Sequence, residues 1–203
     1  MNHHPTTMPI GGHPRTSNRR WPLADAEAIA SQIVEIMRES CVRIEVAGSI
    51  RRRRESVGDI EIVYSPRMIE RQTGLFAADV QFYPMANDAI DRLIGDGILK
   101  PRRKLNGSST WGELIKLATH IPSGIPVDLF AISLPSWHNY LVCRTGPAES
   151  NMLIATMAQK HCLKWEPYSA GFRKMRSGEI IRCNSEAEVF RTVGLPYKEP
   201  RDR

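Results

Sequence analysis

The sequence predicts an α+β fold: a mixed sheet with flanking helices, followed by a small C-terminal α+β unit. Three observations carry this expectation. Arg43 to Ala47, Ile60 to Tyr64 and Ile125 to Ser133 read as strands, the last (IPVDLFAIS) being strongly apolar and β-branched. Residues 24–39 and about 148–163 carry apolar residues at helical spacing. Residues 165–183 then break into short strands, and a capped helix closes the chain.

Taken in order, residues 1–19 are rich in Pro, Gly, His and Thr and show no apolar period, which predicts a disordered arm. In the first helix Ala26, Ile29, Ala30, Ile33, Ile36 and Met37 form one apolar face, and Asp25 and Glu27 suit the dipole of its first turn. The strands 43–47 and 60–64 pair through an Arg-rich connection. Residues 65–84 give no assignable pattern. Met85 to Gly97 reads as a helix ended by glycine. Ile98 to Leu105 and Trp111 to Ala118 read as strands around an Asn106-Gly107 turn. Trp137 to Thr145 receives no assignment and leads to a turn at Gly146-Pro147. Ser185 caps the final helix, whose first turn carries Glu186 and Glu188.

Composition narrows the function classes. The chain has 203 residues, a net charge of +6 and 25% charged residues. A basic balance suits a polyanionic partner. Cys41, Cys143, Cys162 and Cys183 are scattered without a C-x-x-C pair, which excludes a zinc ribbon and a disulfide framework. No apolar run reaches the roughly 18 residues of a membrane span, and the N-terminus lacks a signal-peptide core.

The chemistry concentrates in Val46 to Val63, VAGSIRRRRESVGDIEIV. Asp59 and Glu61, two residues apart on a strand, share a face, and paired like charges are costly there unless a cation holds them. Asp128 sits inside the apolar strand 125–133, where an unpaired carboxylate is expensive. Gly48-Ser49 offers a tight turn, and Arg52 a guanidinium fork, for phosphate oxygens. Each part alone has a bland reading: a run of arginines is usually a solvated patch, and two acids suit an exposed edge strand. Their combination, with a remote strand carrying Val-Asp-Leu, points to a metal–phosphate site.

The blocks GSIRRRRESVGDIEIV, GIPVDLFAI, RTGPAESNM and EVFRTVGLPYKEPRDR resemble, in order and spacing, the family X, DNA polymerase β-like polymerases of the nucleotidyltransferase superfamily. The resemblance runs from about Arg20 to Arg203. It implies a nucleotidyltransferase palm over residues 20–135 and a thumb or fingers subdomain that selects the nucleotide over 136–203. It implies a minimal form without the amino-terminal lyase domain. The implied metal and catalytic acids are Asp59, Glu61 and Asp128, for two Mg²⁺ with Mn²⁺ as substitute. The implied nucleotide contacts are Arg20, Gly48, Ser49, Arg52, Gly58, Thr145, Gly146 and Asn151, the last donating to the minor-groove acceptor that every base offers. Arg51, Arg53 and Arg54 are expected to be solvated or near DNA. Arg102, Arg103, Lys104, Arg173, Lys174 and Arg176 are expected to hold the duplex backbone. The departures from the family are Glu61 where Asp is usual, Cys143-Arg144 in place of an aromatic pair, Ala148 in place of a residue that packs on the incoming base, Pro126 where a basic residue usually supports the third acid, and Gly171 in place of an arginine that contacts the template strand.

The implied activity is DNA-directed addition of deoxynucleotides to a primer 3′-hydroxyl, in gap-filling repair. The expected partners are primer-template or gapped DNA and a dNTP, with no membrane, for a cytoplasmic monomer of bacterial or viral setting. The rival readings are a template-independent nucleotidyltransferase acting on DNA, RNA or protein, and a catalytically inactive nucleic-acid-binding module.

Overall fold

Apolar spacing and strand propensity assemble the elements around one five-stranded sheet. The computed structural model describes residues 19–72, 80–103, 107–169 and 171–203. The expected arm therefore lies, except for Arg19, outside the described residues. β1 (Trp21–Pro22) runs into α1 (Leu23–Met37). Ala26, Ala30, Ile33 and Met37 recur every three or four residues and are buried, so α1 lays a single apolar stripe on the sheet. Burying a side chain such as Ile33 contributes roughly 1.5–3 kcal/mol.

β2 (Cys41–Val46), α2 (Gly48–Arg51), β3 (Ser56–Val57) and β4 (Ile60–Pro66) follow. β2 pairs with β4, as expected through the Arg-rich connection, and does so antiparallel; β3 pairs with β1. Residues 65–84, unassigned from sequence, contribute the hairpin β5 (Met68–Gln72) and β6 (Val80–Pro84). α3 (Ala86–Gly95) matches the helix expected over 85–97. β7 (Leu99–Pro101) and β8 (Ile115–His120) are shorter or later than the strands expected there. Pro101, which cannot donate to a ladder, is the last residue of β7. Trp111 makes one isolated bridge, to Lys116. β9 (Pro126–Ala131) is the strand expected over 125–133, and all six of its residues are buried.

The strand order is β2-β4-β9-β8-β7, with β4–β9 parallel and the other pairs antiparallel, so the sheet is mixed. One face packs Ile60, Ile62, Val127 and Leu129 against α1 and α3. The other carries Val63, Phe130, Ile115 and Leu117, covered by α4 (Trp137–Thr145) through Trp137, Tyr140 and Leu141.

α4 also reaches the next core. Its Val142 and Cys143 join Ile154 and Ala158 of α5 (Ala148–Lys160), Trp165 of β10 (Leu163–Glu166) and Phe172 of β11 (Gly171–Lys174). β12 (Ile180–Ile181) completes a three-stranded sheet, and Val189 and Phe190 of α6 (Glu186–Thr192) close the cluster. Ser185 caps α6 as expected, its hydroxyl accepting from the Glu188 N–H at 3.1 Å. The whole is a mixed α+β architecture. Among the described residues no helix is long and apolar enough to cross a membrane.

Candidate active site

The parallel register between β4 and β9 sets Glu61 directly opposite Asp128. Opposite residues share a face, and this is the face that α4 covers. Asp59 stands just before β4. All three acids line a cleft of about 440 Å³ between the sheet and the start of α5. The same cleft is bordered by Arg20, Ser49, Arg52, Gly58, Gly146 and Asn151.

The acids crowd one another. Burial pushes the Glu61 carboxyl up to about 8; Asp59 and Asp128 add to the rise, while Arg144 and Arg52 oppose it. Burial also pushes Asp128 up to about 6, against the pull of Arg102. Acids that resist ionising together offer the negative charge and hard oxygen donors that Mg²⁺ takes. The donor chemistry therefore fits a divalent cation. In the conformation seen, Asp128 is turned to Arg102 at 2.6 Å, and among the described residues no three such side chains are gathered at ligand spacing.

The turn after β2 is built for close approach. Gly48 has φ +60°, and a Cβ there would collide with the Glu61 carboxylate, so only glycine lets the longer acid lie against this turn. Ser49 Oγ and Arg52 Nε are buried without a hydrogen-bond partner, the kind of orphaned donors that phosphate oxygens satisfy. Arg52 also donates to the Thr145 carbonyl. Gly146, with φ +65°, leaves room for that guanidinium, since a Cβ would sit 3.2 Å from Arg52 Nη1. Arg20 borders the cleft and donates to the backbone and hydroxyl of Ser56, beside Gly58.

The other expected residues are placed unevenly. Gly48 and Thr145 do not border the cleft; Thr145 is fully buried, its Oγ1 accepting from Arg51 at 2.9 Å. Asn151 is buried and its Nδ2 donates to the Cys143 carbonyl at 2.8 Å and to Cys143 Sγ at 3.8 Å, which leaves its Oδ1 unpartnered. The arginine run divides differently from expectation. Arg51 is half-buried and pairs with Glu186 at 2.5 Å, Arg54 donates to the Arg203 carbonyl at 2.6 Å, and Arg53 pairs with Glu27. Arg51 and Arg54 thus bind the C-terminal segment, whose residues are more than a hundred positions away.

Among the expected duplex contacts, Arg102 is tied to Asp128. Arg173 pairs with Glu166 and Lys174 with Glu179, on a face that also exposes Arg176. Arg103 is exposed, and Lys104 lies outside the described residues.

Sequence reasoning missed Tyr168, Glu149 and Arg54 as cleft residues and noted Arg144 only as half of the pair that replaces the family's aromatic pair. The Arg144 guanidinium lies 3.7 Å over the Phe130 ring and 5.3 Å from the rings of Tyr140 and Tyr168. Such stacking holds a cation at the floor of an acidic cleft.

Residues 140–203 match the family model described as DNA polymerase beta thumb. The fold is shared with Leishmania infantum polymerase beta. Its ternary P/T complex has a TM-score of 0.72 at 17% identity, covering 92% of this chain and 77% of that one. Its ternary gap complex has a TM-score of 0.72 at 16% identity, covering 92% and 71%. No curated protein matches.

Proposed function

We propose that the chain, which matches a DNA polymerase beta thumb model over residues 140–203 and shares its fold with a polymerase beta, is a DNA-directed nucleotidyltransferase. It adds deoxynucleotides to a primer 3′-hydroxyl and releases pyrophosphate, in the manner of gap-filling repair. The observation that carries this reading is the cleft itself. Two acids of one sheet face, Glu61 and Asp128, and Asp59 just before β4 stand beside orphaned phosphate donors and the start of α5.

Asp59, Glu61 and Asp128 would hold Mg²⁺, which supplies charge neutralisation and a more acidic attacking hydroxyl. Ser49, Arg52, Arg20 and the Gly58 backbone bind and orient the triphosphate. Asn151, which borders the cleft, meets the base or sugar with its amide, a contact that reads no sequence. Asp128, buried beside Glu61, receives the primer-hydroxyl end. Rate enhancement comes from positioning and charge, since phosphoryl chemistry asks little else of a protein.

Primer extension tests the reading. The pure protein is incubated with gapped duplex, primer-template and single strand, each dNTP and NTP, and Mg²⁺, beside an Asp128→Asn control. The expected product grows by the templated deoxynucleotide and needs metal. Growth that ignores the template would favour the template-independent rival, and no metal-dependent growth on any substrate would sink the enzyme reading.

A second expectation concerns DNA affinity. If Arg103, Arg173, Lys174 and Arg176 make about four phosphate contacts, affinity should fall roughly 100-fold between 50 and 200 mM salt. Fluorescence anisotropy across that range checks it, and a flat salt response would remove these side chains from the DNA face.

A further inference from the structure

Strand register places a basic side chain on Asp128 from three strands' reach. Asp128 of β9 lies opposite Leu117 of β8, and Pro101 of β7 lies opposite Ala118. The next residue, Arg102, therefore falls opposite Leu117, and its backbone N–H donates to the Leu117 carbonyl at 2.8 Å. Glu61, Asp128, Leu117 and Arg102 form one row across the sheet, on one face. Arg102 reaches across the apolar Leu117 and closes on Asp128 Oδ1 at 2.6 Å. Both side chains are largely buried, at 16% and 7% exposure.

Nothing on β9 itself can do this work. The residues flanking Asp128 on the same face are Pro126 and Phe130, neither of which carries a side-chain hydrogen-bond donor. A buried, ion-paired guanidinium is also poorly placed to meet a DNA backbone, the role that sequence reasoning gave it.

We propose that Arg102 is a positioning residue for Asp128. It fixes one carboxylate oxygen and leaves the other as the donor for a divalent cation. This rests on the nucleotidyl-transfer reading of the cleft. Partners that orient a metal ligand typically govern affinity or activity by about 10–100-fold. A mere counter-ion would behave in the opposite sense, because removing a positive charge beside the acids should tighten cation binding.

The test compares wild type with Arg102→Gln, Arg102→Ala and Arg102→Lys. Mn²⁺ is titrated against the DNA-free protein, with the gain in melting temperature as readout. DNA affinity is measured against salt, and primer extension supplies kcat and KM. In Arg102→Gln the Mn²⁺ needed for half the gain is expected to rise about tenfold or more, and kcat to fall about 10–100-fold, with KM for DNA unchanged. Arg102→Lys should retain part of the activity, and free guanidinium should restore part of it to Arg102→Ala. Mn²⁺ binding that tightens or stays the same would overturn the proposal. So would a weaker grip on DNA with a salt slope lower by about one and unaltered metal response, the signature of a phosphate contact. A wild-type protein that binds Mn²⁺ yet transfers no nucleotide would overturn the function while the Mn²⁺ comparison still decides the role of Arg102. If Arg102→Ala does not fold, the Lys and Gln variants carry the comparison.

Discussion

Replacing Glu61 with Gln is expected to abolish nucleotidyl transfer and to stabilise the metal-free protein at neutral and alkaline pH. The amide keeps the shape that lies against Gly48 and removes the charge. With the proposed metal pair bound, losing one of three carboxylates would remove several kcal/mol of charge stabilisation, roughly 10³-fold or more in kcat. The stability effect has the opposite sign. The Glu61 carboxyl is pushed up from an ordinary 4.5 to about 8, chiefly by burial and then by Asp59. A raised folded-state value means that the contribution of the protonated form is complete below about 4.5 and is lost as pH rises through about 8. Wild type and Glu61→Gln should therefore separate above pH 4.5, with the variant the more stable. At about 1.4 kcal/mol per unit, and allowing for the water that still reaches the cleft, the full gap is on the order of 2–4 kcal/mol. Thermal melts in chelator from pH 5 to 9 measure it. Mn²⁺ should reverse the order, stabilising wild type while releasing a proton near pH 7. Parallel melting curves in chelator would show that Glu61 carries no such burden.

The candidate acids stand out in the sequence for one physical reason. A carboxylate in an apolar strand is expensive enough that its presence demands an explanation, and Asp128 in VDLF and Glu61 in DIEIV both make that demand. The helix α4 was not legible. Eight of its nine residues are buried, on two different cores, so no polar face marks a 3.6-residue period. The hairpin β5–β6 was missed for the converse reason. Most of its residues are exposed, the large apolar Phe82 at 74% among them, so burial imposes no alternation on the sequence. The roles within the arginine run depend on partners far along the chain. Local sequence cannot tell Arg52, facing the cleft, from Arg51, facing Glu186. Arg102 is the same lesson in a sheet: its partner follows from the register of three strands, and a shift of one residue would have turned it to the other face.

That long-range wiring makes Glu186→Ala a strongly destabilising change outside the cleft. Glu186 accepts from Arg51 at 2.5 and 3.0 Å and from Arg203 at 2.7 Å. Its side chain is 12% exposed, and that of Arg203 is fully buried. Arg203 is held further by its own contacts, donating to the Lys198 carbonyl and accepting from Arg54. Deleting the carboxylate leaves two enclosed guanidinium groups facing each other without an anion, a loss of about 3–5 kcal/mol. For a chain of this length that is roughly 6–20 °C in melting temperature. Arg51→Ala should cost less, because Glu186 keeps Arg203.

The pH dependence identifies the cause. Burial alone would raise the Glu186 carboxyl, yet Arg51 and Arg203 together hold it below its ordinary 4.5. A depressed value means that the stabilisation is present above the unfolded value and is lost as pH falls through the folded one. The gap between wild type and Glu186→Gln should thus be full at pH 6 and close progressively below about 4.5. Because Arg51 also donates to Thr145, beside the Gly146 that admits Arg52, the same variant should loosen the cleft wall and raise KM for nucleotide. A Glu186→Ala protein that melts within a degree or two of wild type, at every pH, would show that the cluster is solvated in solution and that the two units are held together by their apolar contacts through α4.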